Sequence, residues 1–269
     1  MGKLAMNVNN VLTNKGGAGK SLICALLGCY FQERDQRTLN IDLDPNQPTF
    51  SRYTGLQVQR FDLTRNGKVD GGLFDDALEP IYGPDAAQGT AQRSYDQVVI
   101  DSGAGGYLPF VSYMRRQGVM DTFEDLGIRH TLHVVLAGGQ ALDDCLLSLD
   151  QLATHFGAQS RIVVWLNDYF DALPWSNLDG FYDSGAYRSH GALIDGIVQM
   201  PDLDPETEGR TFAQFVAANQ TFSEALASGS LRFSACRRLM RIRDTYYEQL
   251  DRVFGPWELE LDLAANGTA

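Results

Sequence analysis

The stretch TNKGGAGKS, Thr13 to Ser21, holds the residues best suited to chemistry in this chain. Gly16, Gly17 and Gly19, with the small Ala18 between them, let backbone N–H groups turn inward and approach an anion closely. Lys20 is placed to reach the outer phosphates of a nucleotide, and the Ser21 hydroxyl to ligate Mg²⁺. Leu22 belongs to the opening turn of the following helix, whose N-terminus adds a partial positive charge. The pattern predicts a phosphate site with Mg²⁺ beside it. One departure stands out. Asn14 occupies the position where the general form of this loop has glycine, and Lys15 follows it, a second lysine that phosphate binding alone does not require.

Three aspartates complete the constellation. Asp42 and Asp44 lie in NIDLDPNQPTF, two residues apart, and share a face only while the backbone stays extended. Asp101 closes the apolar run QVVID, where a carboxylate can accept from Ser21 or from water on Mg²⁺. Gly103, Gly105 and Gly106 follow, and would let a loop move close to the terminal phosphate.

These residues need a scaffold of β-α units. Short apolar runs alternate with amphipathic stretches, the pattern of a mostly parallel twisted sheet with helices on both faces, an α/β fold. Strands are expected at NNVLT before the loop and at 38–42, 97–101, 131–137, 161–167 and 196–200. Helices are expected from Lys20 and at 109–117, 141–156, 211–227 and 232–252. One domain over 1–255 accommodates this, with insertions at roughly 64–95 and 168–191 and an acidic, partly disordered tail at 256–269. The second insertion is dense in aromatic and turn residues, as partner-facing segments often are.

Bulk properties narrow the function. With 269 residues, 44% of them hydrophobic, the chain can bury one large core. No run of about 18 apolar residues suggests a membrane span, and the first ten residues lack the features of an export signal. The four cysteines show no metal spacing and read as thiols of a reduced cytoplasm. A net charge of −12 disfavours general nucleic-acid binding.

The order of these motifs resembles the ParA/MinD family, whose deviant phosphate loop reads K-G-G-x-G-K-[ST]. The resemblance covers residues 4–165 closely and 166–255 more loosely. It implies that Lys15 reaches across an ATP-dependent sandwich homodimer to the partner's phosphates, instead of being a surface lysine beside the loop. It also implies that Asp42 supports the Mg²⁺ shell together with Ser21 and Asp101, and that Asp44 positions attacking water. Asn167, at the end of VVWLN, would then read the adenine edge, although a turn-forming role fits it equally. Pro201 and Asp202, in IVQMPDLDP, would be neighbours of the base.

Within the family the wording DPNQPTFSRYTGLQVQRFDL and VVIDSGAGGYLPFVSYM is similar to the TraL-type ATPases of conjugative plasmids. The acidic ending WELELDLAANGTA lacks the basic face of a membrane-targeting helix. Arg237, Arg238 and Arg241, in RFSACRRLMRIRD, offer either a DNA-binding patch or a solvated face paired with acids. The expected function is a cytoplasmic, slowly hydrolysing ATPase switch that dimerises over nucleotide and serves plasmid transfer or DNA partition. Two rivals remain open: a nucleotide-stabilised adaptor with little turnover, and an ATP-dependent enzyme activating a small molecule.

Overall fold

A computed structural model describes residues 6–84, 94–168, 172–175 and 178–266, with side chains placed to Gly255. Strand β1 (Asn7–Leu12) leads through the glycine loop into helix α1 (Lys20–Gln32), then β2 (Thr38–Asp42) and β3 (Gln59–Arg60). A small hairpin of β4 (Thr64–Arg65) and β5 (Lys68–Val69) precedes α2 (Leu73–Tyr82) and β6 (Gln97–Asp101). There follow α3 (Gly103–Arg116), α4 (Val119–Asp125), β7 (Arg129–Ala137), α5 (Leu142–Phe156) and β8 (Arg161–Asn167). The chain ends with α6 (Leu178–Tyr182), α7 (Gly185–His190), β9 (Ile194–Gln199), α8 (Glu208–Ala218), α9 (Phe222–Ala227) and α10 (Phe233–Asn266).

Seven of the strands form one parallel sheet in the order β3-β2-β6-β1-β7-β8-β9. The central strands are buried along their length, which explains their continuous Val, Ile and Leu runs. The chain leaves β1 through α1 toward one sheet edge and leaves β6 through α3 toward the other. Right-handed crossovers therefore place these helices on opposite faces. Phe254 of α10 packs on Tyr30 and Phe31 of α1, which puts the last helix on the α1 face. Tyr107 of α3 bonds Gln151 of α5 on the other face. All seven strands of this sheet point their C-terminal ends to one edge, where the segments carrying Lys20, Asp44, Gly103 and Asp168 gather.

Unusually for strand interiors, β1 and β7 contribute a buried polar chain. His133 bonds Asn9 at 3.1 Å and Trp165 at 3.0 Å, and Asn9 bonds Gln97 at 3.0 Å. On the other side of the strand, Asn10 lies 2.9 Å from His130, which contacts Ser160 at 2.7 Å. Burial holds both imidazoles neutral, with pKa values pushed down to about 3.

Several expectations are revised. The third helix starts at Gly103, so the glycines expected to form a loop make its first turn, with Pro109 inside the helix. The helix expected at 211–227 is two helices: Asn219 adopts φ 49, and Thr221 and Glu224 form a capping box that restarts the chain. The last helix does not end near 252. It continues to Asn266, into the tail expected at 256–269 to be partly disordered, and 267–269 lie outside the described residues. The first insertion is structured by the β4–β5 hairpin and α2, with 85–93 outside the described residues. The second holds α6 and α7, tied to α5 by a 3.0 Å contact between His190 and Asp150.

Candidate nucleotide site

The glycine loop takes a conformation that its residues require. Gly17 has φ 75 and Gly19 has φ 98, both in the region that side chains disfavour. A Cβ at Gly19 would also come within 2.8 Å of the Asn167 amide. Lys20 is 6% exposed, and its ammonium donates to the Lys15 carbonyl at 2.7 Å. Burial lowers its pKa, opposed by the charges of Asp101 and Asp44. A cation with so little water around it and only one carbonyl bonded is well prepared to take phosphate oxygens.

The acids are placed by strand register. Asp42 and Asp101 are opposite one another on adjacent parallel strands, so both carboxylates sit at the same level under the loop. Ser21 Oγ donates to Asp101 Oδ2 at 2.5 Å, and the Gly103 amide donates to Oδ1 at 3.1 Å. Burial raises Asp101 to about 6 against those two bonds and the Lys20 charge. Asp42 is completely buried and accepts from the amides of Asp44 at 3.0 Å and Ser51 at 2.8 Å. Its pKa is raised by burial, with these bonds acting against the shift. Asp44 accepts from the amides of Asn46 at 2.8 Å and Gln47 at 3.0 Å, so it organises the turn that follows it. Gly103, with φ 60, lies so close to the Asp44 carboxylate that a Cβ there would meet it at 2.3 Å.

Lys15 points the other way. Its ammonium lies 3.4 Å from Asp144 in the first turn of α5, and the two side chains are 38% and 52% exposed. The next turn of α5 anchors the start of the loop, because Ser148 Oγ accepts from the Asn14 amide at 3.1 Å.

Two adjoining cavities cover this surface. The larger, about 560 Å³, is lined by Gly16, Gly17, Lys20, Ser21 and Asp44 and lies over the loop. The smaller, about 250 Å³, is apolar and lined by Asn167, Met200, Pro201, Phe212 and Tyr246. Gly19, Leu22 and Val216 border both, so together they make one continuous trough with a polar end and an apolar end. Asn167 is 1% exposed, and its amide donates to the Ala18 carbonyl at 2.9 Å. It therefore braces the loop as well as lining the apolar end. Pro201 lines the apolar cavity, and Asp202, expected beside the base with it, is exposed and lines an outer groove that adjoins that cavity.

A family model for the CobQ/CobB/MinD/ParA nucleotide binding domain matches residues 10–207. The chain belongs to that family. Two Escherichia coli proteins called TraL are each 34% identical over 244 residues, spanning 91% of this chain and 97% of theirs. Among solved structures, the MinC:MinD complex of Aquifex aeolicus matches at 14% identity and TM-score 0.49, covering 88% of this chain and 94% of that one. MinD of Pyrococcus horikoshii with Mg-ADP matches at 17% identity and TM-score 0.46, covering 89% and 95%.

For this family member, sequence reasoning missed Asp144, Ser148 and Ser51. All three are ordinary polar residues that no spacing marks: Asp144 and Ser148 lie more than a hundred residues from Lys15 and Asn14, and Ser51 lies nine residues beyond Asp42. Of Arg237, Arg238 and Arg241, one pairs with an acid among the described residues. Arg241 is paired with Glu208 at 2.9 Å, and Arg243 with Asp244 at 2.8 Å. Among the described residues no helix is long and apolar enough to cross a membrane.

Proposed function

We propose that this chain is an ATP-driven switch acting in the cytoplasm: it binds Mg-ATP, pairs with a second copy over the nucleotide and is reset by slow hydrolysis, in the service of plasmid transfer. The observation that carries this reading is the trough itself, whose phosphate end holds Lys20 and the Ser21–Asp101 pair and whose apolar end fits a purine. The donor set suits the ligands. Hydroxyl and carboxylate oxygens are the usual partners of Mg²⁺, which binds through few protein groups plus phosphates. Among the described residues no cluster of three or more His, Cys, Asp or Glu could hold a metal unaided, so the cation would need the nucleotide. Bound Mg²⁺ supplies charge neutralisation at the phosphates.

Each residue then has a task. Lys20 exchanges the Lys15 carbonyl for phosphate oxygens, Ser21 and Asp101 orient the metal shell, and Asp42 holds the Asp44 turn in place. Asp44 lies where it can orient water once its turn rearranges. Lys15 can leave Asp144 for the phosphates of a second copy, since an exposed ion pair is worth only about 0–1 kcal/mol. The role in transfer rests on the likeness to TraL. DNA contact through Arg237 and Arg238 is a separate possibility that the pairing of Arg241 weakens.

The test is phosphate release and sedimentation with Mg-ATP. A chain that stays monomeric and releases no phosphate sinks the reading. The double capping duty of Asp44 favours one alternative, an adaptor that dimerises on ATP with almost no turnover. It would show dimer without phosphate release.

A further inference from the structure

Phe233 opens α10 with its side chain 81% exposed, beyond any other large apolar residue among those described; the next is Leu108 at 66%. Arg232 precedes it and Arg237 lies four residues on, over the same face. Both are exposed, and neither makes an ion pair among the described residues. An aromatic knob flanked by unpaired arginines is the composition of an interface anchor. A patch of so few free cations on a chain of net charge −12 is poorly suited to nucleic acid, which demands many phosphate contacts.

The complementary hole is on the same molecule. A groove of about 800 Å³ has Leu173, Trp175 and Leu203 on its walls, with Asp168, Asp202 and Arg210 completing the polar part. Trp175 is fixed by edge contact with Phe181 at 5.1 Å. The groove lies just past the ends of β8 and β9, on the nucleotide edge of the sheet. Helix α10 projects from that edge. Gln249 bonds Gln199 at 2.8 Å and Val253 packs on Gly196, so the helix descends alongside β9, and its start lies on the far side of Tyr246 in the apolar cavity. At about 1.5 Å per residue, Phe233 stands some 20 Å along the axis from Tyr246. Helix and groove meet where Arg241, about 12 Å along the axis from Phe233, pairs with Glu208 at the start of the helix that lines the groove. An apolar knob flanked by cations and an apolar groove rimmed by Asp168 and Asp202, carried by one chain, are the self-complementary pair a two-fold interface needs.

We propose that two copies associate across this edge with Phe233 of each seated in the Leu173–Trp175–Leu203 groove of the other, and with Arg232 and Arg237 meeting the partner's Asp168 and Asp202. This rests on the dimerising reading above and adds the residues that decide which surface pairs with which. The groove shares Pro201, Leu203 and Ala213 with the apolar cavity, so a purine in the cavity sets the shape of the wall that receives the knob. Nucleotide occupancy and self-recognition become one event.

The experiment is sedimentation of the full chain with Mg-ATP, comparing wild type with Phe233→Asp, Arg237→Glu and Asp202→Arg. All three sites are exposed, so the variants keep the fold, checked by circular dichroism and nucleotide affinity. Phe233→Asp is expected to weaken the dimer roughly 30-fold or more, as for loss of an anchor. Arg237→Glu and Asp202→Arg should each weaken it, and an equimolar mixture of the two should recover it, since both contacts in the mixed dimer again join opposite charges. If wild type dimerises and Phe233→Asp does so equally well, or if the mixture gains nothing, the proposal is overturned while the switch reading stands. Recovery of binding to a different protein or to single-stranded DNA by Phe233 alone would reassign the knob and equally overturn it. A wild type that never dimerises removes both readings.

Discussion

Lys15 and Asp144 form an ion pair at 3.4 Å that joins the glycine loop to the first turn of α5 within one chain. The lysine is thereby turned away from the phosphate end of its own trough, and the pair competes with any negative charge offered by a second copy. Lys15→Ala should leave ATP affinity within about threefold of wild type and abolish ATP-driven dimerisation. Asp144→Ala should act oppositely and strengthen the dimer up to about fivefold, the limit set by an exposed pair of about 1 kcal/mol. Sedimentation over a concentration series reads both. A Lys15→Ala protein that dimerises normally would show the lysine to be a surface charge only.

The Ser21–Asp101 contact gives a second expectation. Asp101 titrates near 6 because burial outweighs its hydrogen bonds. Above that pH the carboxylate is charged and can support a metal shell; below it the group is neutral and cannot. Mg²⁺-dependent enhancement of nucleotide affinity should therefore fall as pH drops from 7 to 5. Asp101→Asn should remove the enhancement at every pH, with Mg²⁺-free affinity little changed. Titration calorimetry with and without Mg²⁺ distinguishes this from general loss of binding, which would appear in both arms.

Gly103 offers a test of the Asp44 turn. Its φ of 60 and the 2.3 Å approach of a Cβ to the carboxylate mean that Gly103→Ala strains the backbone and displaces Asp44 together. The left-handed conformation alone costs about 1–2 kcal/mol. Thermal melting should show that loss, and any phosphate release should fall further than the stability change explains. A variant that melts lower and turns over normally would remove Asp44 from the list of reacting groups.

Much of this was readable from the chain because it depends on local pattern. The glycine loop, the strand-ending acids and the apolar runs each record their structure in neighbouring residues, and β2, β6 and β8 fall on the expected residues. What could not be read depends on contacts between distant segments. Nothing in DDCLLS announces that Asp144 and Ser148 hold the start of the loop. Asn167 was read as a base contact or a turn residue, and the side chain also braces Ala18 from across the sheet edge. Gly103 looked like loop because glycine and Pro109 disfavour helix interiors, yet the left-handed start lets the helix begin there against Asp44.

The buried histidines fix how the apoprotein responds to acid. In the folded chain His130 and His133 take protons only near pH 3, whereas unfolded imidazoles do so near 6.5. Between those values the unfolded state binds more protons, so stability falls as pH falls, by up to about 1.4 kcal/mol per unit for each histidine. Asp101 acts in the other direction, since its folded form holds a proton between about 4 and about 6 that the unfolded form has lost. Asp42, also raised by burial, adds to that opposing trend. Between pH 6.5 and 6 the histidines act unopposed by Asp101, and below 6 they are partly offset. Urea midpoints should be flat above about pH 7 and begin to decline below 6.5, with a shallower slope below 6. His133→Gln, which keeps a hydrogen-bonding side chain and removes the titration, should reduce the decline. A midpoint unchanged from pH 7.5 to 5 in both proteins would mean the imidazoles are not held neutral.

Asn167 separates bracing from base reading. Its amide nitrogen is committed to the Ala18 carbonyl at 2.9 Å, which makes the side chain part of the loop's support whatever base is bound. Asn167→Ala removes a buried bond of about 1 kcal/mol and opens space beside Gly19. ATP affinity should fall several-fold, and so should that of GTP, by a similar factor. Competition binding of the two nucleotides to wild type and variant measures the ratio directly. A loss confined to ATP would show that the residue reads the adenine edge and that its bond to Ala18 yields when the nucleotide arrives.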